Sequence, residues 1–343
     1  MKLNGTHTRS IMRTDDGKGA RILDQRDLPW KVTWVELRDA ATAERAIREM
    51  WTRGAPLIGA TAAYGLALAL AEDASDEGLA SAHKFLLEAR PTAVNLRWAL
   101  DDVAAHVRPL PVADRAEAAF ARADAIADDD AAMSEAIGSH GLDILRDLHA
   151  QHPDRPLNIL THCNAGWLAT VDYGTATAPI YTAHDAGIPV HVWVDETRPR
   201  NQGALLTAFE LASHGVPHTV IVDNAGGHLM MNGQVDMVIV GTDRVAANGD
   251  VCNKIGTYLK ALAAKDNDIP FYVALPSTTF DATTPTGADV PIEERSGEEV
   301  THVQGEGGAI RVTASGAANP AFDVTPARLV TGYITEKGVS ATI

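Results

Sequence analysis

Five short runs rich in valine and isoleucine, spaced through the second half of the chain, limit its fold more than any other feature. They are "LNILTH" (157–162), "PVHVWVDE" (189–196), "HTVIVD" (218–223), "VDMVIVG" (235–241) and "IPFYVAL" (269–275). Segments at helical period lie between most of them, at about 174–187, 202–214, 226–232 and 250–265. Parallel strands need crossover connections, and helical crossovers must pack on the faces of the sheet. This alternation therefore predicts an α/β fold with a mostly parallel sheet and helices on both faces.

The chain changes character near residue 150. Before that point, alanine-rich segments at helical period dominate, over about 40–50, 56–72, 76–89, 93–107 and 112–149. "VTWVELRD" (32–39) reads as a short strand, and "RPTAVNL" as a proline-containing turn before a helix. The longest uncharged apolar stretch, Ala55 to Ala71, falls short of the roughly 20 residues of a membrane span. Its alanine and glycine content predicts a helix packed tightly inside a protein. The start, "MKLNGTHTRSIMRTDD", lacks the apolar core of a secretory leader, so a cytoplasmic location is expected.

Charge narrows the partners. Forty-five acids against 29 bases give a formal net charge of -16, with no lysine–arginine cluster, which argues against nucleic acid as a partner. An anionic substrate would need local cations to overcome that field. The two cysteines, Cys163 and Cys252, form neither a disulfide framework nor a zinc-ligand spacing.

The conspicuous polar residues come just after the predicted strands. They are His162-Cys163-Asn164, Glu196-Thr197-Arg198, Asp223-Asn224, Thr242-Asp243-Arg244 and Pro276-Ser277-Thr278-Thr279. Open parallel sheets bind ligands at the carboxyl ends of their strands, so these five clusters are expected to converge on one crevice. Cys163 is either a small buried hydrophobe or a thiol activated at a loop–helix junction. His162 could hydrogen-bond that thiol or satisfy a backbone carbonyl. Asp243 suits a general acid, and equally a cap or an ion pair with Arg244. Cys252 reads as packing.

Candidate anion ligands lie elsewhere. "NGDVCNKIGTYLKALAAK" reads as a turn at Asn248-Gly249 and a helix from about Asp250, with Asn253 and Lys254 in its first turn, suited to a phosphate. "TRGAPLIG" puts Arg53, Gly54 and Ala55 at a helix start, with Pro56 at a favoured first position. Arg90 precedes another helix, and the two arginines could clamp a phosphate. Gln202 could meet sugar hydroxyls or simply face solvent. The chain has no GxGxxG after the first strand, no GxSxG and no HExxH. What remains is acid–base chemistry on a small phosphorylated substrate, with neither metal nor cofactor expected.

Eight ordered blocks from about residue 20 to 338, among them "RGAPLIGATAAYGLAL", "LTHCNAGWLAT", "DETRPRNQGALLTAFEL", "VIVGTDRVAANGDVCNKIGTYLKALAA" and "IPFYVALPSTTFD", resemble the methylthioribose-1-phosphate isomerases. These belong to a wider family that includes ribose-1,5-bisphosphate isomerases and the alpha, beta and delta subunits of translation initiation factor 2B. The resemblance implies a helical N-terminal domain over 1–130, a Rossmann-like catalytic domain over 131–343, and a homodimer. It implies an aldose–ketose isomerase of methionine salvage, acting on a sugar phosphate with catalytic Cys163 and Asp243. It also implies substrate contacts from Arg53, Gly54, Ala55, Arg90, Gln202, Asn253 and Lys254. The alternatives within the family are another 1-phosphorylated pentose, such as ribose 1,5-bisphosphate, or a non-catalytic regulatory subunit. The chain departs from the family's usual Gly-Ala-Asp-Arg by carrying Thr242 before Asp243.

Overall fold

A computed structural model describes residues 1–3, 5–90 and 93–343. The proline-containing turn expected at Pro91 lies outside the described residues. The chain forms two compact units. One comprises Met1, His7–Ser134 and Trp167–Gly174; the other comprises Lys2–Thr6, Glu135–Gly166 and Thr175–Ile343.

In the first unit, three antiparallel strands, Ile11–Arg13, Ala20–Asp24 and Thr33–Leu37, precede a set of helices. These are α1 (Ala40–Arg48), α2 (Ala55–Glu72), α3 (Asp76–Leu87) and α4 (Val94–Val107), followed by the long α5 (Arg115–Gln151), whose residues up to Ser134 belong to this unit. Asp39 caps α1 by accepting from the Thr42 amide, and Ser75 caps α3 by accepting from Gly78. Helix α2 is the centre of the unit. Its small residues let α1, α3 and α4 pack close around it, and nearly all of it from Leu57 to Leu70 is buried. Leu57, Leu66, Leu96 and Leu100 are fully enclosed, each stabilising the unit by about 1.5–3 kcal/mol relative to exposure.

The second unit is built on a seven-stranded sheet. Its parallel strands are β1 (Leu157–Thr161), β2 (Val190–Asp195), β3 (His218–Ile221), β4 (Met237–Val240), β5 (Phe271–Ala274) and β6 (Gly332–Thr335). An antiparallel seventh, β7 (Gly338–Ser340), closes one edge. The spatial order of the parallel strands is 3-2-1-4-5-6, that of a doubly wound Rossmann-like sheet. Strands β1 and β4 are almost wholly buried, as a parallel sheet covered on both faces requires. The crossovers carry α6 (Ala178–Asp185), α7 (Ala208–His214), α8 (Ala225–Met231) and α9 (Thr257–Asp266). Five of the parallel strands were legible as valine and isoleucine runs. The sixth, with the sequence GYIT, is short and flanked by polar residues, so it gave no such run.

One expected helix is corrected. Residues 251–254 are a strand, and the helix begins only at Thr257. The Asn248-Gly249 turn joins Arg244–Ala246 to Val251–Lys254 as an antiparallel hairpin. Phe322–Thr325 pairs with the other side of that strand, and Phe280–Asp281 completes a four-stranded sheet. Asn-Gly between short apolar runs is a hairpin signal. Pairing on both sides overrides the helical period that Val251 to Lys254 share with the residues after them.

Candidate active site

Cys163 lies two residues beyond the end of β1, and Asp243 three beyond β4. The two strands are neighbours, with Ile159 opposite Met237 and Leu160 opposite Val238. The chain winds outward in opposite directions from this pair, so the crevice beyond their carboxyl ends is the switch point where such sheets bind ligands. The loops that follow also touch. A Cβ on Gly241 would lie 2.4 Å from the Ala165 Cβ, so only glycine lets the β4 loop come this close to the segment bearing Cys163.

Cys163 has φ 67°, a left-handed conformation that costs a non-glycine residue on the order of 1–3 kcal/mol. The surroundings hold it there. Its amide donates to the Thr197 hydroxyl at 2.9 Å, and its carbonyl accepts from the Thr207 hydroxyl at 2.7 Å. Thr197 itself has φ 64° and is fixed by its amide donating to Asp223 at 2.7 Å. Thr207 ends a single π-helical turn, Gly203–Thr207, that opens the segment expected to be an ordinary helix. The thiol-bearing residue is partly exposed while both its chain neighbours are buried.

Those neighbours lead to buried carboxylates. His162 places Nε2 2.8 Å from the Ile255 carbonyl and Nδ1 2.8 Å from Asp195 Oδ2. A carbonyl can only accept, so Nε2 donates to Ile255. The ring therefore does satisfy a backbone carbonyl, one of the two roles its sequence position allowed. On the other side, Asn164 donates to Glu210 Oε1 at 2.8 Å and to the Thr207 hydroxyl at 3.1 Å. Glu210 also accepts from the Tyr181 hydroxyl at 3.1 Å. Burial holds the Tyr181 phenol well above its usual pKa, so it stays a neutral donor.

His162, Asp195 and Asp223 offer ligand atoms within 4.8 Å of one another, a grouping that could hold a cation. A lysine already fills that role. Lys260 Nζ stands 3.1 Å from Asp195 Oδ2 and donates to the Asp223 carbonyl. Nothing in the sequence marked Lys260 or Glu210. Both lie on helices, where a charged residue ordinarily faces solvent.

Asp243 is partly buried, and its amide donates to the Cys252 carbonyl at 3.0 Å. The Thr242 hydroxyl lies 2.8 Å from the Arg244 carbonyl and 2.9 Å from that of Cys252, which pins the turn. The Arg244 guanidinium pairs with Asp281 at 3.2 Å. Cys252 is buried, and burial, reinforced by the charge of Asp243, pushes its thiol up to about 12.

Gln202 is buried rather than facing solvent, and among the described residues no donor reaches its Oε1. A buried amide oxygen left open is costly, which suits a ligand hydroxyl. Asn253 and Lys254 sit on the strand of the four-stranded sheet, not in a helix turn. Asn253 is buried and donates to Thr257 at 3.0 Å. The Lys254 ammonium lies 4.4 Å from the centre of the Phe322 ring, a cation–π contact rather than free solvation.

The remaining candidates belong to the first unit. Gly54 caps the N-terminus of α2 at φ 93°, where a Cβ would fall 2.4 Å from the Ala169 carbonyl oxygen, and Ala55 begins the helix, with Pro56 in its first turn. The first amides of an 18-residue helix lack intrahelical partners and favour an anion. Arg53 precedes that turn and is partly buried; Arg90 is partly buried, and its carbonyl accepts from Ala93, the residue capping α4.

The fold and site thus define a doubly wound α/β protein with a thiol and a carboxyl on the two sides of its switch point. The chain belongs to the Initiation factor 2 subunit family, whose profile matches residues 51–342. It is 60% identical to a Brucella anthropi protein named methylthioribose-1-phosphate isomerase, with 99% of this chain and 96% of that one aligned. A Cereibacter sphaeroides protein of the same name is 62% identical, over 99% and 95%. Among solved structures, 5-methylthioribose 1-phosphate isomerase from Pyrococcus horikoshii superposes with a TM-score of 0.87 at 38% identity, covering 97% of this chain and 92% of that one. A structure described as the delta subunit of translation initiation factor eIF-2B from A. fulgidus gives 0.82 at 38% identity, over 97% and 96%.

Proposed function

We infer that the protein is an aldose–ketose isomerase that converts 5-methylthioribose 1-phosphate into 5-methylthioribulose 1-phosphate in methionine salvage. The observation that carries this reading is that Cys163 and Asp243 follow adjacent strands at the switch point. The names of relatives about 60% identical over nearly the whole chain support the substrate.

The phosphate on C1 locks the sugar ring, so the ring cannot open to the aldehyde unaided. Asp243 delivers a proton to the ring oxygen, and a hydrogen then moves from C2 to C1. Cys163 is the base if that hydrogen travels as a proton through an enolate. It stabilises the transition state if the hydrogen travels as a hydride. Gln202, with its open amide oxygen, meets sugar hydroxyls. Arg53 and Arg90, the amides at Gly54 and Ala55, and Asn253 with Lys254 bind the substrate and its phosphate, supplying the local cations that a chain of net charge -16 needs. The working form is a homodimer, which light scattering of the purified protein would check.

The test is proton and phosphorus NMR of purified protein with 5-methylthioribose 1-phosphate, and separately with ribose 1,5-bisphosphate, in heavy water. Ketose formed from the methylthio sugar alone supports the reading. Turnover of only the bisphosphate moves the protein to that substrate. No turnover of either by folded protein favours a regulatory subunit. Deuterium at C1 of the product would count against a pure hydride shift.

A further inference from the structure

The residues on either side of Cys163 do something that the proposed chemistry leaves unused. Each reaches a buried carboxylate, and the two carboxylates lie on different elements. His162 engages Asp195 at the end of β2, backed by Lys260 of α9. Asn164 engages Glu210 of α7, backed by Tyr181 of α6. His162, Asn164, Asp195, Glu210, Lys260 and Tyr181 are all at least nine-tenths buried. Between these anchors, the Cys163 amide and carbonyl are each held by a threonine hydroxyl. Thr207 ties the Asn164 side to the Cys163 backbone, because its hydroxyl accepts from Asn164 while donating to the Cys163 carbonyl. The His162 ring is further confined by Gly256, at φ 104°, where a Cβ would come within 3.0 Å of it.

Such an arrangement is needed because Cys163 occupies a backbone region that a cysteine does not hold unaided. Relaxation of φ to a negative value would swing the Cα–Cβ bond and carry the sulfur away. We propose that His162 and Thr207 are positioning residues that clamp the left-handed turn at Cys163 and thereby aim its thiol, with Asp195 and Glu210 as the buried anchors of the clamp. This rests on the isomerase reading for its effect on turnover but not for its effect on the thiol.

The test uses the full-length protein and the variants His162→Ala and Thr207→Val. The second is close to isosteric and exchanges the hydroxyl for a methyl, so it is expected to fold even if the first does not. Three quantities are read: kcat and KM for 5-methylthioribose 1-phosphate, the thermal unfolding midpoint, and the rate of Cys163 alkylation by iodoacetamide across pH. A displacement near 1 Å can cost about 10²-fold in rate. The expected result is a fall in kcat of about that size for His162→Ala and of about 10-fold for Thr207→Val, each with KM within about 3-fold of the parent. The pH profile of alkylation shifts in both. A merely structural role would lower the unfolding midpoint and leave the alkylation profile of the folded protein in place, and that outcome overturns the proposal. Unchanged kcat and unchanged alkylation overturn it as well. Should the parent turn over no sugar phosphate, the isomerase reading fails alone, because alkylation needs no substrate and still reports on the clamp.

Discussion

The two cysteines sit in regions built in opposite ways. Cys252 is in a strand paired on both sides, opposite Arg244 and Val324. Its backbone is regular, and burial holds its thiol neutral, up at about 12. Cys163 follows a strand, has φ 67° and is partly exposed, with its polar backbone atoms held by side chains instead of a ladder. A regular environment stabilises a thiol as a small hydrophobe. An irregular, over-determined one stabilises a direction, which is what chemistry needs.

The largest break in this contrast should come from exchanging the two residues' fates. Cys163→Ala lowers turnover of the methylthio sugar by about 10²–10⁴-fold, whereas Cys252→Ala leaves it within about twofold and costs about 1–2 kcal/mol of stability. Parallel kinetics and denaturant titrations of the two variants check both halves; equal losses of activity would erase the distinction. Asp243→Asn keeps the shape and removes the proton donor of the proposed mechanism, so a loss in kcat of about 10²–10⁴-fold is expected, with KM changed far less. Rates indistinguishable from the parent would remove Asp243 from its role.

A finer probe is Thr242→Ala, which removes the hydroxyl from the loop before Asp243. The hydroxyl's bonds to two loop carbonyls are lost, and a stability decrease of about 0.5–1.5 kcal/mol should appear in urea unfolding while kcat moves less than about threefold. A large change in kcat would mean that the turn sets the position of Asp243.

The smallest effect concerns the helical unit. Asp130 is buried, and burial, helped by the charge of Asp172 and opposed by the Val171 amide, pushes its carboxyl up to about 7. An unfolded aspartate titrates near 4. Below about pH 4 both states hold the proton; between about 4 and 7 only the folded state does, so this group's contribution to stability falls as pH rises through that window and is level above it. Asp130→Asn keeps the acceptor for Val171 and removes the slope. The difference in unfolding free energy between parent and variant, measured across that range, should change with pH; a constant difference would show that Asp130 is ionised in the fold.

The legibility of the chain follows the same division. Helices α1 to α5 were readable because period 3.6 and small residues already specify close packing around α2. Five parallel strands were readable because each is a short run rich in valine or isoleucine, and β1 and β4 at the centre of the sheet are buried on both faces. Asn253 and Lys254 were misplaced because a hairpin held by two partner strands competes with a helical pattern of similar local strength. Gln202 and Arg53 stood out by type and position, but the closed environment of Gln202 depends on a π-helical turn that no spacing announces.

By itself the sequence determined the alternation of strands and helices, the doubly wound class and the presence of a thiol and a carboxyl after strands, since these follow from local period and hydrophobicity. Only the tertiary structure decided that β1 and β4 are neighbours, that Cys163 adopts a left-handed turn, and that Asp195 and Glu210 anchor it from either side. Those facts rest on contacts between residues 33 to 78 positions apart, and no local pattern carries the energy of a bond whose partner lies so far along the chain.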